Sequence, residues 1–199
     1  MNTTFTFLPG VAILAMAAMA AAPANAMTSI YTTTLSGAAE ATPNGSLGSG
    51  SAVVTVDRDL RTLSISTSFA GLTGDTTQSH IHCCTAFPAT TAGVATETPT
   101  FGGFPLGVKF GTYTNTFNMT LASSYNSAFI VNNGGTTTTA FTALLAGLDT
   151  GKAYVNIHTS SFGGGEIRGF LAPVPEPETY ALMLAGLGAV AWAARRRSV

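Results

Sequence analysis

The three histidines are the residues of this 199-residue chain with the most distinctive chemistry. His80 and His82 stand two positions apart in Ser-His-Ile-His, and His158 closes the later stretch Tyr-Val-Asn-Ile-His. Residues i and i+2 of a β-strand project from the same face, so an extended segment here would present two imidazoles side by side. Joined by His158 from a distant strand, they could hold one Zn²⁺ or Cu²⁺ ion with a fourth position open.

The same histidines have a second interpretation, in which each is hydrogen-bonded separately and none binds a metal. Val155 and Ile157 alternate with the polar residues of Tyr-Val-Asn-Ile-His, which is the period of a strand with one buried face. A Gly-rich turn then leads into a short strand that carries Glu166, so a hairpin with a polar face is predicted. Such a face could satisfy the histidines without an ion, and both interpretations stay open.

An enzymatic role is the alternative to a binding role. A metal on His80, His82 and His158 could support redox or hydrolytic chemistry, but that chemistry would need a general base. Glu166 is the one carboxylate that the sequence suggests for it. The chain has no Ser/His/Asp order with a nucleophile elbow, no phosphate loop and no paired carboxylates in one neighbourhood. We therefore assign no catalytic residue and no residue that binds an organic cofactor.

Cys83 and Cys84 are the only cysteines and are adjacent. An oxidising compartment favours a disulfide. However, the Cα atoms of neighbours lie about 3.8 Å apart, whereas disulfides normally need about 4.4 Å or more. Three states are open: a vicinal disulfide on a distorted backbone, two free thiols, or thiolate ligands beside His82 that would favour Zn²⁺ or Cu⁺.

Glu166 and Arg168 are two positions apart in Gly-Glu-Ile-Arg-Gly, so they share one face of the last predicted strand. We interpret them as a structural ion pair, formed with each other or across a neighbouring strand. Its role would be to fix the final hairpin.

The elements that position these residues follow from the alternation of small hydroxyl residues with apolar ones. Strands are predicted at 29–35, 51–56, 62–69, 79–82, 111–121, 154–158 and 166–170. One helix is predicted at 140–147, with its N-cap among residues 137–139 and Gly147 as its C′ residue. Residues 83–107 are rich in Thr, Pro and Gly and predict a long functional or mobile loop. Together these elements predict an all-β fold, an antiparallel sandwich or barrel with one short helix.

The two ends of the chain differ from this middle. Residues 1–26 contain an apolar run from Val11 to Ala22 and close on Ala24-Asn25-Ala26, the A-x-A pattern of a secretory signal peptide cleaved after Ala26. The run is too short to span a bilayer, which takes roughly 20 residues. Between the ends, residues 27–173 form a single predicted domain whose few charges make no cationic patch, so a nucleic-acid partner is not expected.

The C-terminal segment, residues 174–199, combines three features in a fixed order. These are a Pro-Glu-Pro stretch, an apolar run predicted to cross the membrane, and an arginine cluster that would stay cytoplasmic: Pro175, Glu176 and Pro177, then 180–194, then Arg195, Arg196 and Arg197. The order resembles the PEP-CTERM sorting signal of Gram-negative bacteria. The resemblance implies export, recognition by an exosortase-type transpeptidase, transient anchoring in the inner membrane, and delivery to the cell surface or extracellular matrix. The alternative is an ordinary type I anchor preceded by prolines.

The middle of the chain resembles the CHRD module, first recognised in chordin. The resemblance rests on three stretches and spans roughly residues 30–171: His80-Ile81-His82, 154–159 (Tyr-Val-Asn-Ile-His-Thr) and 165–169 (Gly-Glu-Ile-Arg-Gly). The chain is also similar to bacterial proteins in which CHRD precedes PEP-CTERM, including in its His-Cys-Cys-Thr stretch. What the resemblance implies is an immunoglobulin-like or barrel-like β fold in an extracellular setting, without a defined activity.

The predicted function is therefore that of an exported binding or structural module. Its ligand would be an extracellular polysaccharide or a protein. The alternative is a metal-dependent redox or hydrolytic enzyme, with Zn or Cu held by His80, His82 and His158.

Overall fold

Alternating hydroxyl and apolar residues form the long strands of the protein. The computed structural model describes residues 28–85, 91–175 and 177–197, so the predicted signal peptide lies outside the described residues. The strands are β1 (Thr28–Ser36), β2 (Ser49–Asp57), β3 (Thr62–Ala70), β4 (Thr76–Cys83), β5 (Gly111–Asn118), β6 (Ala153–Thr159), β7 (Ile167–Phe170) and β8 (Ala172–Pro173). In β2 and β3 most apolar side chains enter the core and most Ser and Thr side chains face outward, as the period of two requires. Val53, which is exposed, and Thr67, which is buried, are among the exceptions.

The strands form one antiparallel sheet rather than two packed sheets. Its order is β4-β6-β7-β1-β2-β3-β5, and the short β8 pairs with β1. The sheet curls into a half-barrel. The all-β antiparallel prediction is therefore confirmed, and the barrel-like form describes the sheet better than the sandwich does.

The long connection between β4 and β5 fills the open side of the curl. The backbone N–H of Phe101 donates to the Ser79 carbonyl of one edge strand at 3.0 Å. Its ring packs against Tyr113 and Phe117 of the other edge strand, with ring centroids 5.8 and 5.4 Å apart. One buried aromatic residue thus joins the two ends of the sheet, and the predicted loop has a structural function.

Two short helices pack beside the sheet, where the sequence predicts one. The missed helix is α1 (Ser127–Asn132), whose six residues are too few and too rich in Phe, Ile and Val to show a helical period. The predicted helix is α2 (Thr137–Asp149), which begins one turn earlier and ends later than expected. Thr136 is its N-cap and forms a capping box with Thr139.

Gly147 is inside α2, so its predicted role as the C′ residue is wrong. A Cβ atom at this position would collide with Cys83 Sγ and lie 2.5 Å from Cys84 Sγ. Glycine is present because the helix backbone touches the sulfur atoms, and Thr150 is the C-cap instead.

The C-terminal segment contains α3 (Pro177–Arg197). No helix in the described parts of the chain combines the length and the apolar character that crossing a membrane requires.

Candidate metal centre

The pairing of β6 with its two neighbours gathers the predicted site residues on one face of the sheet. In the register of β4 against β6, His80 lies opposite Asn156, and His82 lies opposite Tyr154. Residues directly opposite each other in an antiparallel pair share a face, and His158 is two positions beyond Asn156 on that same face. The three histidines are therefore neighbours, as the spacing predicted.

This face is buried, which corrects the prediction that β6 has one buried face. All seven residues of β6 are buried, and the three histidines are 3, 8 and 7% exposed for His80, His82 and His158. Ile81, Val155 and Ile157 point to the opposite side and enter the hydrophobic core. Loops that the strand pattern does not reveal cover the polar face, so the site is a second, polar interior.

The three imidazoles converge. One ring nitrogen from each histidine lies within 4.8 Å of the corresponding nitrogens of the other two. The ring centroids are 5.3 Å apart for His80 and His82, 5.0 Å for His80 and His158, and 5.9 Å for His82 and His158.

Each histidine donates from one ring nitrogen to a backbone carbonyl of the loops that cover this face of the sheet. The distances are 2.7 Å from His80 Nε2 to Pro99 O, 2.8 Å from His82 Nδ1 to Ala92 O, and 2.9 Å from His158 Nδ1 to Gly163 O. A carbonyl oxygen can only accept, so these nitrogens carry the ring protons. The remaining nitrogens, His80 Nδ1, His82 Nε2 and His158 Nε2, are buried and have no hydrogen-bond partner among the described residues.

Burial keeps these imidazoles neutral at physiological pH. Loss of solvation lowers the pKa of His80 and of His82 to about 4, and it also lowers the pKa of His158. A positive charge on a neighbouring histidine would add to the effect. The neutral ring is the form that binds a metal, so burial keeps the three imidazoles in the protonation state that metal binding requires.

Tyr154 contacts the histidine cluster, although sequence reasoning did not select it as a site residue. Its ring stacks on His82, with centroids 4.8 Å apart and planes inclined by only 1°. Its hydroxyl accepts from Ala92 N at 3.1 Å, while Ala92 O accepts from His82. The available signal was the period of two, because Tyr154 shares the face of His158.

Cys83 and Cys84 are joined by a disulfide, so neither sulfur is a thiolate beside His82. Among the described His, Cys, Asp and Glu residues, the group whose ligand atoms converge comprises the three histidines and neither cysteine. The strand period explains the position of Cys83, which follows His82 and therefore points to the core side against Gly147.

Glu166 is held by four donors rather than by Arg168. Its carboxylate accepts from the Ser46 hydroxyl at 2.5 Å, Thr73 N at 2.5 Å, Gly74 N at 3.2 Å and the Thr159 hydroxyl at 2.6 Å. Burial alone would raise the pKa of this carboxyl, but the hydrogen bonds outweigh it and lower the pKa. The carboxylate fixes the β1–β2 and β3–β4 connections to the end of β6, which is a structural role.

The ion pair of Arg168 is with Glu40, a residue outside the strand pattern, at 3.9 Å. The guanidinium also lies over the Tyr154 ring, 4.9 Å from its centroid, and Arg168 Nε donates to Ala39 O. Burial raises the pKa of Glu40 to about 7, although the charge of Arg168 opposes the shift.

The residues of the predicted sorting signal lie at the end of the described chain. Pro175 is exposed just before α3, and Pro177 begins that helix, while Glu176 lies outside the described residues. Arg195 is exposed in the last turn of α3, and Arg197 ends it.

Comparisons with known proteins identify two segments. A family model described as the CHRD domain matches residues 31–171, and one described as the PEP-CTERM protein-sorting motif matches residues 173–197. Neither the curated proteins nor the solved structures include a match to this chain. The sorting motif implies export, recognition by an exosortase-type sorting system, and membrane-anchored sorting to the cell surface. With most of its length matched by one family model, the chain belongs to the CHRD domain family and carries a PEP-CTERM motif behind that domain.

Proposed function

We propose that this exported protein is a metal-binding module in which His80, His82 and His158 hold one Zn²⁺ or Cu²⁺ ion. Two observations carry the proposal: one ring nitrogen of each histidine converges on those of the other two, and each histidine has one buried ring nitrogen without a partner in the described chain. A buried polar atom without a partner costs about 1–3 kcal/mol. A bound ion would satisfy all three nitrogens at once.

The distances fit an ion after a small adjustment. Three atoms no more than 4.8 Å apart can all lie within about 2.8 Å (4.8 Å divided by √3) of one point, whereas Zn–N bonds are about 2.0–2.1 Å. An inward movement of under about 1 Å by each imidazole would complete the coordination. The backbone carbonyls that accept from the other ring nitrogens orient the rings, as the outer partners of metal-binding histidines do.

The donor set supports Zn²⁺ or Cu²⁺ over harder ions. Imidazole suits zinc and copper, whereas Ca²⁺ and Mg²⁺ take oxygen ligands. The converging cluster contains no carboxylate.

The alternative of a metal-dependent enzyme receives less support. Glu166 is the base that the sequence suggests, but its carboxylate accepts four hydrogen bonds and its pKa is lowered. A carboxylate committed in this way favours a structural role. We therefore propose binding, with the metal organising a surface for an extracellular polysaccharide or protein.

The proposal includes the route of the protein out of the cell. A signal peptide over residues 1–26 would be removed, and the domain over residues 27–173 would be held briefly in the inner membrane by a span within 174–199. Exosortase-type processing would then deliver it to the cell surface or matrix. The sorting motif supports this route, and mass spectrometry of both termini of the protein from its native cells tests it.

The metal site is tested by elemental analysis of the exported protein, purified without chelators. We expect about one zinc or copper ion per chain. His158→Ala should lower the affinity by more than about 100-fold, because loss of a ligand should exceed the 10–100-fold cost of losing an outer partner. Gln78→Ala is the matched control, since Gln78 lies opposite His158 in the register and is not in the cluster. A metal content unchanged by His158→Ala would refute the site.

A further inference from the structure

Asn156 occupies the centre of the polar face. It lies on β6 two residues before His158, opposite His80 on one side and opposite Arg168 on the other. Directly opposed residues have Cβ atoms about 4.5–5.5 Å apart, so Asn156 is a neighbour of His80, and it shares the face of β6 that carries His158.

The side-chain oxygen of Asn156 lacks a hydrogen-bond donor among the described residues. The residue is 3% exposed, and Oδ1 is a buried acceptor without a hydrogen-bond partner among the residues that the structure describes. It is therefore a buried acceptor that lacks a donor on the strand face that carries the histidines.

The turn at residues 163–165 holds the Asn156 amide in place. A Cβ atom at Gly165 would collide with Asn156 Nδ2 and lie 2.6 Å from Oδ1, so the backbone of the 163–165 turn packs directly on the amide. The turn also contains Gly163, whose carbonyl accepts from His158. One segment thus orients a histidine and confines the neighbouring acceptor.

Three imidazoles leave a tetrahedral ion with one open position. An amide oxygen is a better ligand for harder ions than for Zn²⁺ or Cu²⁺, so direct coordination by Asn156 is disfavoured. Neutral imidazoles also leave the 2+ charge of the ion uncompensated, which favours an anion in that position.

We propose that the fourth ligand is an exchangeable water molecule that donates a hydrogen bond to Asn156 Oδ1 and that small inorganic anions can displace. This inference rests on the proposed metal site and assigns it an open, ligand-accepting character. Asn156 is then a positioning residue that favours water over an anion.

A cavity of about 450 Å³ borders two of the segments that cover the histidines. Its wall includes Thr91 and Gly164, and each is one residue from a carbonyl that holds a histidine, Ala92 for His82 and Gly163 for His158. The segments that cover the histidines therefore also line this cavity, and we take it as the side from which a small ligand approaches.

The test uses the exported protein loaded with Co²⁺, whose visible spectrum reports its ligands, and a titration with azide. Wild-type protein should show a saturable spectral change as azide replaces water. In Asn156→Leu, the bound water loses its acceptor, so azide should bind about five- to tenfold more tightly, which corresponds to one hydrogen bond of about 1 kcal/mol. Asn115→Leu, the same substitution on β5, should leave the azide affinity unchanged.

The outcomes separate the two proposals. No azide response in wild-type protein, or an azide affinity that is unchanged or weaker in Asn156→Leu, would overturn the water ligand while the metal site stands. Failure to bind Co²⁺, or Co²⁺ binding that survives His158→Ala, would overturn the metal site and the water with it.

A measurement on wild-type protein covers the case in which Asn156→Leu does not fold. With Cu²⁺ bound, an exchanging water should accelerate the longitudinal relaxation of solvent protons, and azide should abolish the enhancement. Absence of the enhancement would overturn the inference.

Discussion

Each histidine of the site divides its two ring nitrogens between different tasks. One nitrogen donates to a loop carbonyl, and the other faces the shared interior. The division fixes the tautomer without a carboxylate, so the site adds no negative charge around the proposed ion. It also means that protonation of a ring would place an unpaired charge in a buried space.

This arrangement predicts that the metal-free protein loses stability in mild acid. The pKa of His80 and of His82 falls from 6.5 to about 4 on folding. The unfolded chain therefore binds more protons between those values, and stability is lost as the pH drops through that interval. At about 1.4 kcal/mol per unit, and with Glu40 opposing, the free energy of unfolding should fall by roughly 2–4 kcal/mol between pH 7 and 4.5. Urea unfolding at both pH values measures it.

Glu40 supplies the control for this prediction. Its pKa rises from 4.5 to about 7 on folding, so the folded protein binds more protons in that range and its contribution is lost as the pH rises. Glu40→Gln removes the opposing effect, and the acid loss should become steeper than in wild-type protein. A flatter profile in Glu40→Gln would contradict these assignments.

At the scale of elements, α2 is placed by the disulfide. The helix backbone reaches Cys83 and Cys84 at Gly147, where the space for a side chain is already taken by sulfur. The position of α2 is therefore linked to the position of β4, the strand that carries both His82 and Cys83.

We expect Gly147→Ala to destabilise the protein by about 1–3 kcal/mol. Alanine is the better helix former by about 1 kcal/mol, but overpacking a filled site costs more than that gain. Thermal unfolding followed by circular dichroism measures the difference. Gly45→Ala is the control, because a Cβ atom there meets nothing within 4 Å. Equal or greater stability in Gly147→Ala would show that the contact is not tight.

The strands and the pairing of the histidines could be predicted from the sequence, whereas the loops that cover the histidines could not. Hydroxyl and apolar residues alternate in β2 and β3, and His80 and His82 are two apart, so both follow from the strand period. The carbonyls of Ala92, Pro99 and Gly163 leave no trace in the sequence, because every residue has a carbonyl. Burial of the polar face was missed for that reason.

At the scale of the whole molecule, the CHRD domain and the sorting motif meet at a short strand. The family match ends at Leu171, β8 follows at Ala172–Pro173, and the motif begins at 173. Pro175 then follows β8 outside regular structure, and Pro177 begins α3, where a proline is tolerated because the first helical N–H has no partner within the helix. Pro173, Val174 and Pro175, at the start of the motif, are exposed.

We expect the double substitution Pro175→Ala with Pro177→Ala to impair sorting but not folding. The exosortase-type system would no longer find the two prolines of the Pro-Glu-Pro stretch. The protein should therefore keep its C-terminal tail and stay in the membrane fraction. Cell fractionation with mass spectrometry of the C-terminus measures this. Pro43→Ala, an exposed proline in the connection between β1 and β2 and outside the motif, is the control. Normal processing of the double variant would argue against the assignment.

The pairing of β8 with β1 determines where the C-terminal segment leaves the domain. Tyr31 lies opposite Pro173, and Val174 N donates to Ile30 O at 2.8 Å. The polypeptide thus enters and leaves the domain at one corner. Trimming either terminus there would leave the remote surface of the domain undisturbed and free to meet its surroundings.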